Sequence, residues 1–304
     1  MRQRILMGAG IGAAVIVAIG LLVWASQQGT FGPSNNGKHL LARAKQAVNQ
    51  GRLDEAQRDL EELIGTFPSS PWADDALLLL GQVHENQQHY DGAQTAYRQL
   101  LDHFPSSALV AETQKRLGNV NIALLFSPIV TDLDTIHQVR PGDTLGGIAR
   151  ANHTTIELIK RANSLEGDTI FPSQKLKVPK GHFSILVDKS QNELLLAENE
   201  RFVKTYPVAT GTDGSTPEGT FTIVNKVVNP IWYRQGAIVP PESAENILGT
   251  RWMGISEKGF GIHGTTQPES IGAQATAGCV RMTNSDVEEL FAIVPVGTEV
   301  TIVD

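Results

Sequence analysis

The chain contains one cysteine, Cys279, in the sequence TAGCVRM, and His263 lies sixteen residues before it in GIHGTT. A lone cysteine cannot form an intramolecular disulfide or a cysteine-rich zinc site. It is therefore a buried inert thiol, half of an intermolecular bridge, or a nucleophile. Only the thiolate attacks a carbonyl and a free thiol titrates at about 8.5, so a nucleophilic cysteine needs a nearby base such as imidazole. The pair predicts cysteine–histidine catalysis, with a buried structural cysteine as the alternative.

The neighbours of the cysteine suit the same chemistry. Gly278 leaves backbone N–H groups open to face an oxyanion, and Arg281 supplies a fixed fork for a carboxylate. His182 and His263 are far apart in sequence, and no acidic cluster has the spacing of metal ligands. The sequence therefore predicts a site with neither a metal nor a cofactor.

Apolar runs separated by Gly, Pro, Asp and Asn turns must position these motifs, and they predict a mostly β domain over 182–304. The helical exception is 285–293, for which Asn284 or Ser285 is the predicted N-cap. Trp232 and Trp252 are predicted either to line a substrate cleft or to pack in the core. The predicted strands are 183–187, 193–196, 220–224, 261–262 and 300–303.

The stretch 182–304 resembles the L,D-transpeptidase catalytic domain, which has a histidine followed, after a spacer, by the motif Ser/Thr-x-Gly-Cys-Val/Ile-Arg. Many members have histidine at the position of Ala277, which does not carry the nucleophile. Further matches to the family lie in 207–223, 229–233, 239–255 and 294–303.

This resemblance implies a reaction on peptidoglycan. The Cys279 thiolate would attack the peptide bond before the terminal D-alanine of a tetrapeptide stem, release D-alanine and leave a thioester. His263 would be the base, and the Gly264 carbonyl would orient its imidazole in place of an acidic residue. An amine from a neighbouring stem would then accept the acyl group and crosslink the cell wall.

The resemblance also implies which groups would stabilise the negative charges of the oxyanion and the substrate. The amides of Gly278 and Cys279 would form the oxyanion hole, and Arg281 would shape it or hold a substrate carboxylate. Thr276, at the hydroxyl position of the motif, would be structural or line the substrate. Two alternatives stay open: an L,D-carboxypeptidase in which water resolves the thioester, and a non-enzymatic glycan-binding scaffold.

A second module precedes this domain at 136–180. Its pattern predicts a strand opening at Val139, a Pro-Gly-Asp turn, two short helices and a strand at 175–178. It closely resembles the LysM domain, with Ser173 replacing a glycine of the pattern, and a decayed structural linker is the alternative. The resemblance implies binding of N-acetylglucosamine-containing glycans such as peptidoglycan or chitin. The predicted contact residues are Gly142, Asp143, Thr144, Leu145, Ile170, Phe171 and Pro172.

An internal repeat comes before the LysM-like module. FPSS occurs at 67–70 and again at 104–107, and Leu80-Gly81 recurs at 117–118, both at a spacing of 37 residues. The second unit resembles a tetratricopeptide repeat, whereas the first has Arg43-Ala44 where Leu-Gly would stand. Helix pairs of this kind bury their apolar stripes by stacking, and they act as spacers or bind a protein partner.

The N-terminal segment predicts export. Arg2 and Arg4 precede an uncharged run of 21 residues, 5–25. A helix of that length spans about 31 Å, so the run is predicted to be an inner-membrane anchor. No positive residue follows until Lys38, so the positive-inside rule places 27–304 on the exported side. A cleaved secretory signal is the alternative, and both interpretations place the protein in the cell envelope.

Composition excludes another class of function. The chain has 25 Lys and Arg against 32 Asp and Glu, a net charge of −7, so it lacks the basic excess that nucleic-acid binding requires.

The predicted fold class is multidomain: a transmembrane helix, an all-α tetratricopeptide-like repeat, a βααβ LysM module and a mostly β catalytic domain. The predicted divisions are 1–26 (anchor or signal), 27–37 (linker), 38–126 (repeats), 127–135 (linker), 136–180 (LysM) and 182–304 (catalytic).

Overall fold

The computed structural model describes residues 33–234 and 236–304. Five helices come first, then a unit of two strands and two helices, then a mostly β domain. The helices are α1 (Pro33–Asn49), α2 (Leu53–Thr66), α3 (Ala73–Asn86), α4 (Tyr90–His103), α5 (Val110–Leu125), α6 (Leu145–Ala151), α7 (Ile156–Ala162) and α8 (Asn284–Ile293). The strands are β1 (Asp134–Gln138), β2 (Lys175–Pro179), β3 (Phe183–Asp188), β4 (Glu193–Glu198), β5 (Arg201–Pro207), β6 (Thr210–Gly211), β7 (Gly219–Val228), β8 (Trp232–Arg234), β9 (Ala237–Val239), β10 (Arg251–Ile255), β11 (Gly261–His263), β12 (Gln274–Thr276), β13 (Val280–Arg281) and β14 (Glu299–Val303).

The predicted fold class needs one correction, which concerns the transmembrane helix. Among residues 33–234 and 236–304, no helix is both long and apolar enough to cross a membrane. The fold class is therefore helical repeats, a βααβ unit and a mostly β domain. The run 5–25, on which the anchor was predicted, lies outside the described residues. Helix α1 begins at Pro33, inside the stretch 27–37 that was predicted to be a linker.

The contact between α3 and α4 explains why the two repeat units differ in sequence. A Cβ atom on Gly81 would lie 2.1 Å from Cε1 of Tyr97, so only glycine allows the two helices to approach this closely. Ala44 and Leu60 stand 37 residues earlier, at the equivalent positions of the first unit. Both are fully buried in one cluster. Because leucine is smaller than tyrosine, the first unit accommodates alanine where the second requires glycine.

The last helix of the repeat packs on the mostly β domain. Asn121 on α5 donates from Nδ2 to the carbonyl oxygens of Phe202 (3.2 Å) and Val203 (2.9 Å), and its Oδ1 accepts from Gln94 Nε2 at 2.7 Å. Phe202 and Val203 belong to β5, which is an edge strand of the large sheet. Exposed edge strands present unpaired backbone groups that invite association with other chains. The repeat covers this edge.

The βααβ unit predicted from the LysM pattern is confirmed, with shifted starting points. Its β1 pairs antiparallel with β2, and β1 ends just before Val139, where the first strand was predicted to begin. The strand starts at Asp134, within the predicted linker 127–135. Thr144 and Thr155 cap α6 and α7 with their hydroxyl oxygens. Ser173 has φ of +72°, a conformation that favours the glycine usual at this position.

The mostly β domain is built on an eight-stranded sheet in the order β13-β11-β10-β7-β14-β3-β4-β5. The pairs β11–β13 and β14–β3 are parallel and the others are antiparallel. The predicted strands are confirmed as β3, β4, β7, β11 and β14, each longer than predicted. Helix α8 is also confirmed, but Thr283 is its N-cap, accepting from Asp286 N, and not Asn284 or Ser285. The strands β5, β6, β8, β9, β10, β12 and β13 were not predicted.

Charged side chains are buried where the three parts meet. Lys177 of the LysM-like unit donates from Nζ to the carbonyl oxygens of Leu124 (2.7 Å) and Ser127 (3.0 Å), and it lies 3.5 Å from Asp134 Oδ2. Glu198 at the end of β4 is 2% exposed, and its Oε1 has no hydrogen-bond partner among the described residues. Burial, reinforced by the charge of Asp134, raises the pKa of Glu198 to about 7.

Glu198→Gln is expected to stabilise the protein at pH 8 and to change little at pH 5. The folded-state pKa of about 7 exceeds the unfolded value of about 4.3, so stability is complete below the lower value and falls as pH rises through the higher one. The neutral amide avoids this loss, which we expect to be worth about 1–3 kcal/mol. Urea unfolding at both pH values measures it. The exposed Glu193→Gln is the control, and an equal gain at both pH values would contradict the assignment.

Candidate active site

Three neighbouring strands bring the cysteine and the histidine together. Strand β11 lies between β10 and β13, and in this register His263 is opposite Trp252 on one side and Arg281 on the other. Met282 N donates to His263 O at 2.8 Å, which holds the two chains in this alignment. Cys279 immediately precedes β13, and its Sγ lies 3.8 Å from Gly259 O just ahead of β11. The two motifs, whose cysteine and histidine are sixteen residues apart in sequence, therefore lie on adjacent strands.

The imidazole of His263 is held in one tautomer. Its Nδ1 lies 2.6 Å from Gly264 O, and because a carbonyl oxygen only accepts, the hydrogen is on Nδ1 and Nε2 carries a lone pair. The Trp252 ring stacks on it, with centroids 5.9 Å apart and planes inclined by 19°. The side chain is 2% exposed, and this burial, helped by the charge of Arg281, lowers the pKa of His263 to about 4. At neutral pH the ring is uncharged and able to accept a proton.

The thiol is also neutral at rest. Burial raises the pKa of Cys279 above its ordinary value, although the Gly261 N–H and the charge of Arg281 act in the opposite direction. The Cys279 Sγ–H donates to Gly259 O, and no hydrogen bond joins it to His263 within the described part of the chain. A preformed thiolate–imidazolium pair is thus disfavoured.

The loop before the cysteine is organised by Thr276. Its hydroxyl donates to Cys279 O at 2.7 Å and accepts from Gly278 N at 3.1 Å. One of the two amides predicted for the oxyanion hole is therefore engaged inside the loop. Among the described residues, no backbone acceptor is found for the Cys279 N–H. Gly278 has φ of +129°, and a Cβ there would lie 2.6 Å from the Phe260 ring, so the loop requires glycine.

The Arg281 side chain is engaged by hydrogen bonds within the described part of the chain. It is 6% exposed, and its Nη1 donates to Gln267 Oε1 (3.3 Å) and Ser270 Oγ (3.0 Å) in the turn beyond β11. Its charge still acts on the site, because it lowers the pKa of both His263 and Cys279. In this structure Arg281 is a buried cation that supports the loop.

A cleft of about 620 Å³ opens beside Cys279. Trp232 and Trp252 both line it. Asn225, which the sequence analysis missed, also lines it and accepts from Trp252 Nε1 at 3.1 Å. No sequence signal singles out this asparagine, because its role depends on the pairing of β7 with β10. Within residues 33–234 and 236–304, no group of three or more His, Cys, Asp or Glu could hold a metal ion.

The residues predicted to contact glycan differ in availability. Phe171 is 66% exposed, and Gly142 and Pro172 are exposed as well. The carboxylate of Asp143 is engaged, accepting from Arg140 N at 2.8 Å and lying 2.8 Å from His137 Nε2. The rest serve the unit's own fold: Thr144 caps α6, Leu145 is buried in the core and Ile170 packs against that core.

These parts define a class of protein. The family model of the L,D-transpeptidase catalytic domain matches 182–302, that of the LysM domain matches 137–179, and that of the tetratricopeptide repeat matches 47–117. The predicted modules and their order along the chain are thereby confirmed.

Comparison with individual proteins specifies the family. The chain is 38% identical over 175 residues to the putative L,D-transpeptidase YkuD of Bacillus licheniformis, covering 55% of this chain and 98% of that protein. It is 41% identical over 126 residues to the putative L,D-transpeptidase YqjB of Bacillus subtilis, covering 40% and 70%. The chain belongs to the L,D-transpeptidase family. A crystal structure of an L,D-transpeptidase from Mycobacterium tuberculosis H37Rv matches 45% of this chain and 75% of that one, with 14% identity and a TM-score of 0.36.

Proposed function

We propose that the chain is a peptidoglycan L,D-transpeptidase with Cys279 as nucleophile and His263 as base. The observation that supports the proposal is the pairing of β11 with β13, in which His263 lies opposite Arg281, two residues after the single cysteine of the chain, with its Nδ1 bonded to Gly264 O. Membership of the L,D-transpeptidase family supports the reaction class. The LysM-like unit supports a substrate that carries glycan as well as peptide.

In the first half-reaction, the Cys279 thiol passes its proton to His263 Nε2 while sulfur attacks the carbonyl carbon before the terminal D-alanine. The tetrahedral oxyanion is stabilised by the Cys279 N–H. The carbon–nitrogen bond then breaks, His263 returns the proton to the leaving amine, and D-alanine departs from a thioester. The uncharged resting state of Cys279 and His263 suits this order of steps, because the same imidazole acts first as a base and then as an acid.

In the second half-reaction, an amine attacks the thioester carbonyl and loses a proton to His263, and the Cys279 thiol is restored. The cleft lined by Trp232, Tyr233 and Trp252 is the place we assign to the peptide stems. Attack by water instead of an amine would give the L,D-carboxypeptidase product. We place this activity in the cell envelope, where peptidoglycan occurs.

Mass spectrometry of the products from a disaccharide-tetrapeptide tests the proposal. We expect a crosslinked dimer with loss of one D-alanine, formed by the wild-type chain and absent with Cys279→Ala. A tripeptide alone would establish hydrolysis in place of transfer. An unchanged substrate, with the LysM-like unit still binding peptidoglycan, would establish the scaffold alternative.

The LysM-like unit is too closely packed to be tested by deletion. Leu158 on α7 is fully buried in the core of the catalytic domain, and the Thr155 hydroxyl donates to Ala292 O at the end of α8. Removing 136–180 would expose that core, so a loss of activity would not distinguish glycan binding from support of the fold.

Phe171→Ala is therefore the informative change. Its ring is the most exposed apolar side chain of the two predicted glycan-binding loops, and truncation of such an aromatic contact is expected to weaken binding to intact sacculi about tenfold. Turnover of a small soluble muropeptide should stay unchanged. A pull-down on sacculi and a soluble assay measure the two effects, with the exposed Ile136→Ala on β1 as the control. Equal losses on both substrates would contradict a glycan-binding role for Phe171.

A further inference from the structure

Asn284 is the first residue of α8, yet its side chain is not used by that helix. The N-cap is Thr283, whose hydroxyl accepts from Asp286 N at 3.1 Å. Asn284 Oδ1 instead accepts two backbone N–H groups from outside the helix, from Thr250 at 3.2 Å and from Thr265 at 3.1 Å. Thr250 stands directly before β10, and Thr265 follows the sequence His263-Gly264.

Two glycines make room for this carboxamide. A Cβ on Gly249 or on Gly264 would each lie 2.2 Å from Asn284 Oδ1. Gly249 also has φ of +62°, which other residues rarely adopt. The close approach of the two chain segments therefore depends on glycine at both positions. On the other side of the strand, Gly264 N donates to Arg251 O at 3.1 Å.

The Thr265 N–H and the Gly264 C=O belong to one and the same peptide group. That carbonyl oxygen is the atom that accepts from His263 Nδ1 at 2.6 Å. A continuous chain of hydrogen bonds therefore runs from Asn284 Oδ1 through one peptide group to the imidazole. Each bond in such a chain polarises the next, so the amide contact strengthens the carbonyl as an acceptor and also fixes its direction.

We propose that Asn284 is a positioning residue for His263, acting through the Gly264–Thr265 peptide and taking the orienting role that an acidic residue has in other catalytic triads. This inference rests on the proposed function of His263 as the base. Asn284 itself does not touch the substrate or the reacting atoms. Its effect is to keep the hydrogen on Nδ1, so that the lone pair of Nε2 faces Cys279.

The test compares Asn284→Ala, Asn284→Asp and Thr283→Ala in the chain as it exists. Acylation by a carbapenem is followed by intact mass over a range of concentrations and pH. Asn284→Ala is expected to lower the maximal acylation rate 10- to 100-fold with little change in the half-saturating concentration. Asn284→Asp keeps the oxygen acceptor, so it should restore most of the rate and move the pH profile upward through its added charge. Thr283→Ala removes only the helix cap and should leave both quantities unchanged.

NMR of ¹⁵N-labelled histidine gives a second readout that does not require activity. The wild type should show His263 with its hydrogen on Nδ1 alone, and Asn284→Ala should show a mixture of tautomers. Should that variant fail to fold, an unchanged His263 titration in Asn284→Asp would itself overturn the inference. A wild type that is never acylated would refute the proposed function, whereas a wild-type rate and tautomer in Asn284→Ala would refute only the role of Asn284.

Discussion

Cys279→Ala is expected to abolish both D-alanine release and crosslink formation, with a fall in rate of roughly 10⁴-fold or more. The reason is that Cys279 is the only thiol in the chain and the proposed carrier of the acyl group. The fold should survive, because the loop is held by the Thr276 hydroxyl, which bonds Cys279 O and Gly278 N, and does not depend on Sγ. Binding to sacculi through the LysM-like unit should also be retained.

Mass spectrometry of the intact protein tests directly whether Cys279 carries the acyl group. Wild-type protein incubated with a carbapenem should gain one acyl adduct, and peptide mapping should place it at Cys279. Thr283→Ala, which alters only the cap of α8, is expected to form the adduct at the wild-type rate and serves as the matched control. An adduct at any other residue, or full turnover by Cys279→Ala, would remove Cys279 from the mechanism.

The sequence predicted the order of the modules because those features are local. Repeat spacing, the LysM pattern and the motifs around Cys279 and His263 are each recognised within a short stretch of chain. The strands β8, β9 and β10 were missed because they are short and bounded by polar turns. Their existence depends on neighbours that are distant in sequence, which periodicity cannot report.

Side-chain partners across the sheet were the least predictable part of the site. Nothing in the sequence connects Asn284 to Thr265, or Trp252 to His263, because each pair depends on the register of β10 and β11 and on the position of α8. The helix cap illustrates the same limit. Thr283, Asn284 and Ser285 are all good capping residues, and only the tertiary contact of Asn284 decides that Thr283 takes the role.

His263→Gln is expected to slow acylation at neutral pH by about 10²- to 10⁴-fold, the usual contribution of general acid–base catalysis. Glutamine can still donate a hydrogen bond to Gly264 O, so the local structure should change little. It has no basic nitrogen to take the proton of the Cys279 thiol. The exposed His182→Gln is the control and should have no effect on the rate.

Part of this loss should be recovered as pH rises, because alkali produces the thiolate without a base. Burial raises the pKa of Cys279, so recovery should begin at a higher pH than the value of about 8.5 that a free thiol has. A mutant that recovers already near neutral pH would contradict the environment found for the thiol.

Recovery should also stay incomplete on the natural substrate. The same ring must donate a proton to the departing D-alanine amine, and Arg281, the other ionisable residue of the two motifs besides Cys279, stays charged. A β-lactam has a strained ring that opens with less help, so its acylation rate should recover further than that of the peptide. Both rates are measured from neutral to alkaline pH for wild type and His263→Gln. If the mutant cleaves the peptide at the wild-type rate at neutral pH, His263 is not the base, and the proposed proton path through its Nε2 fails with it.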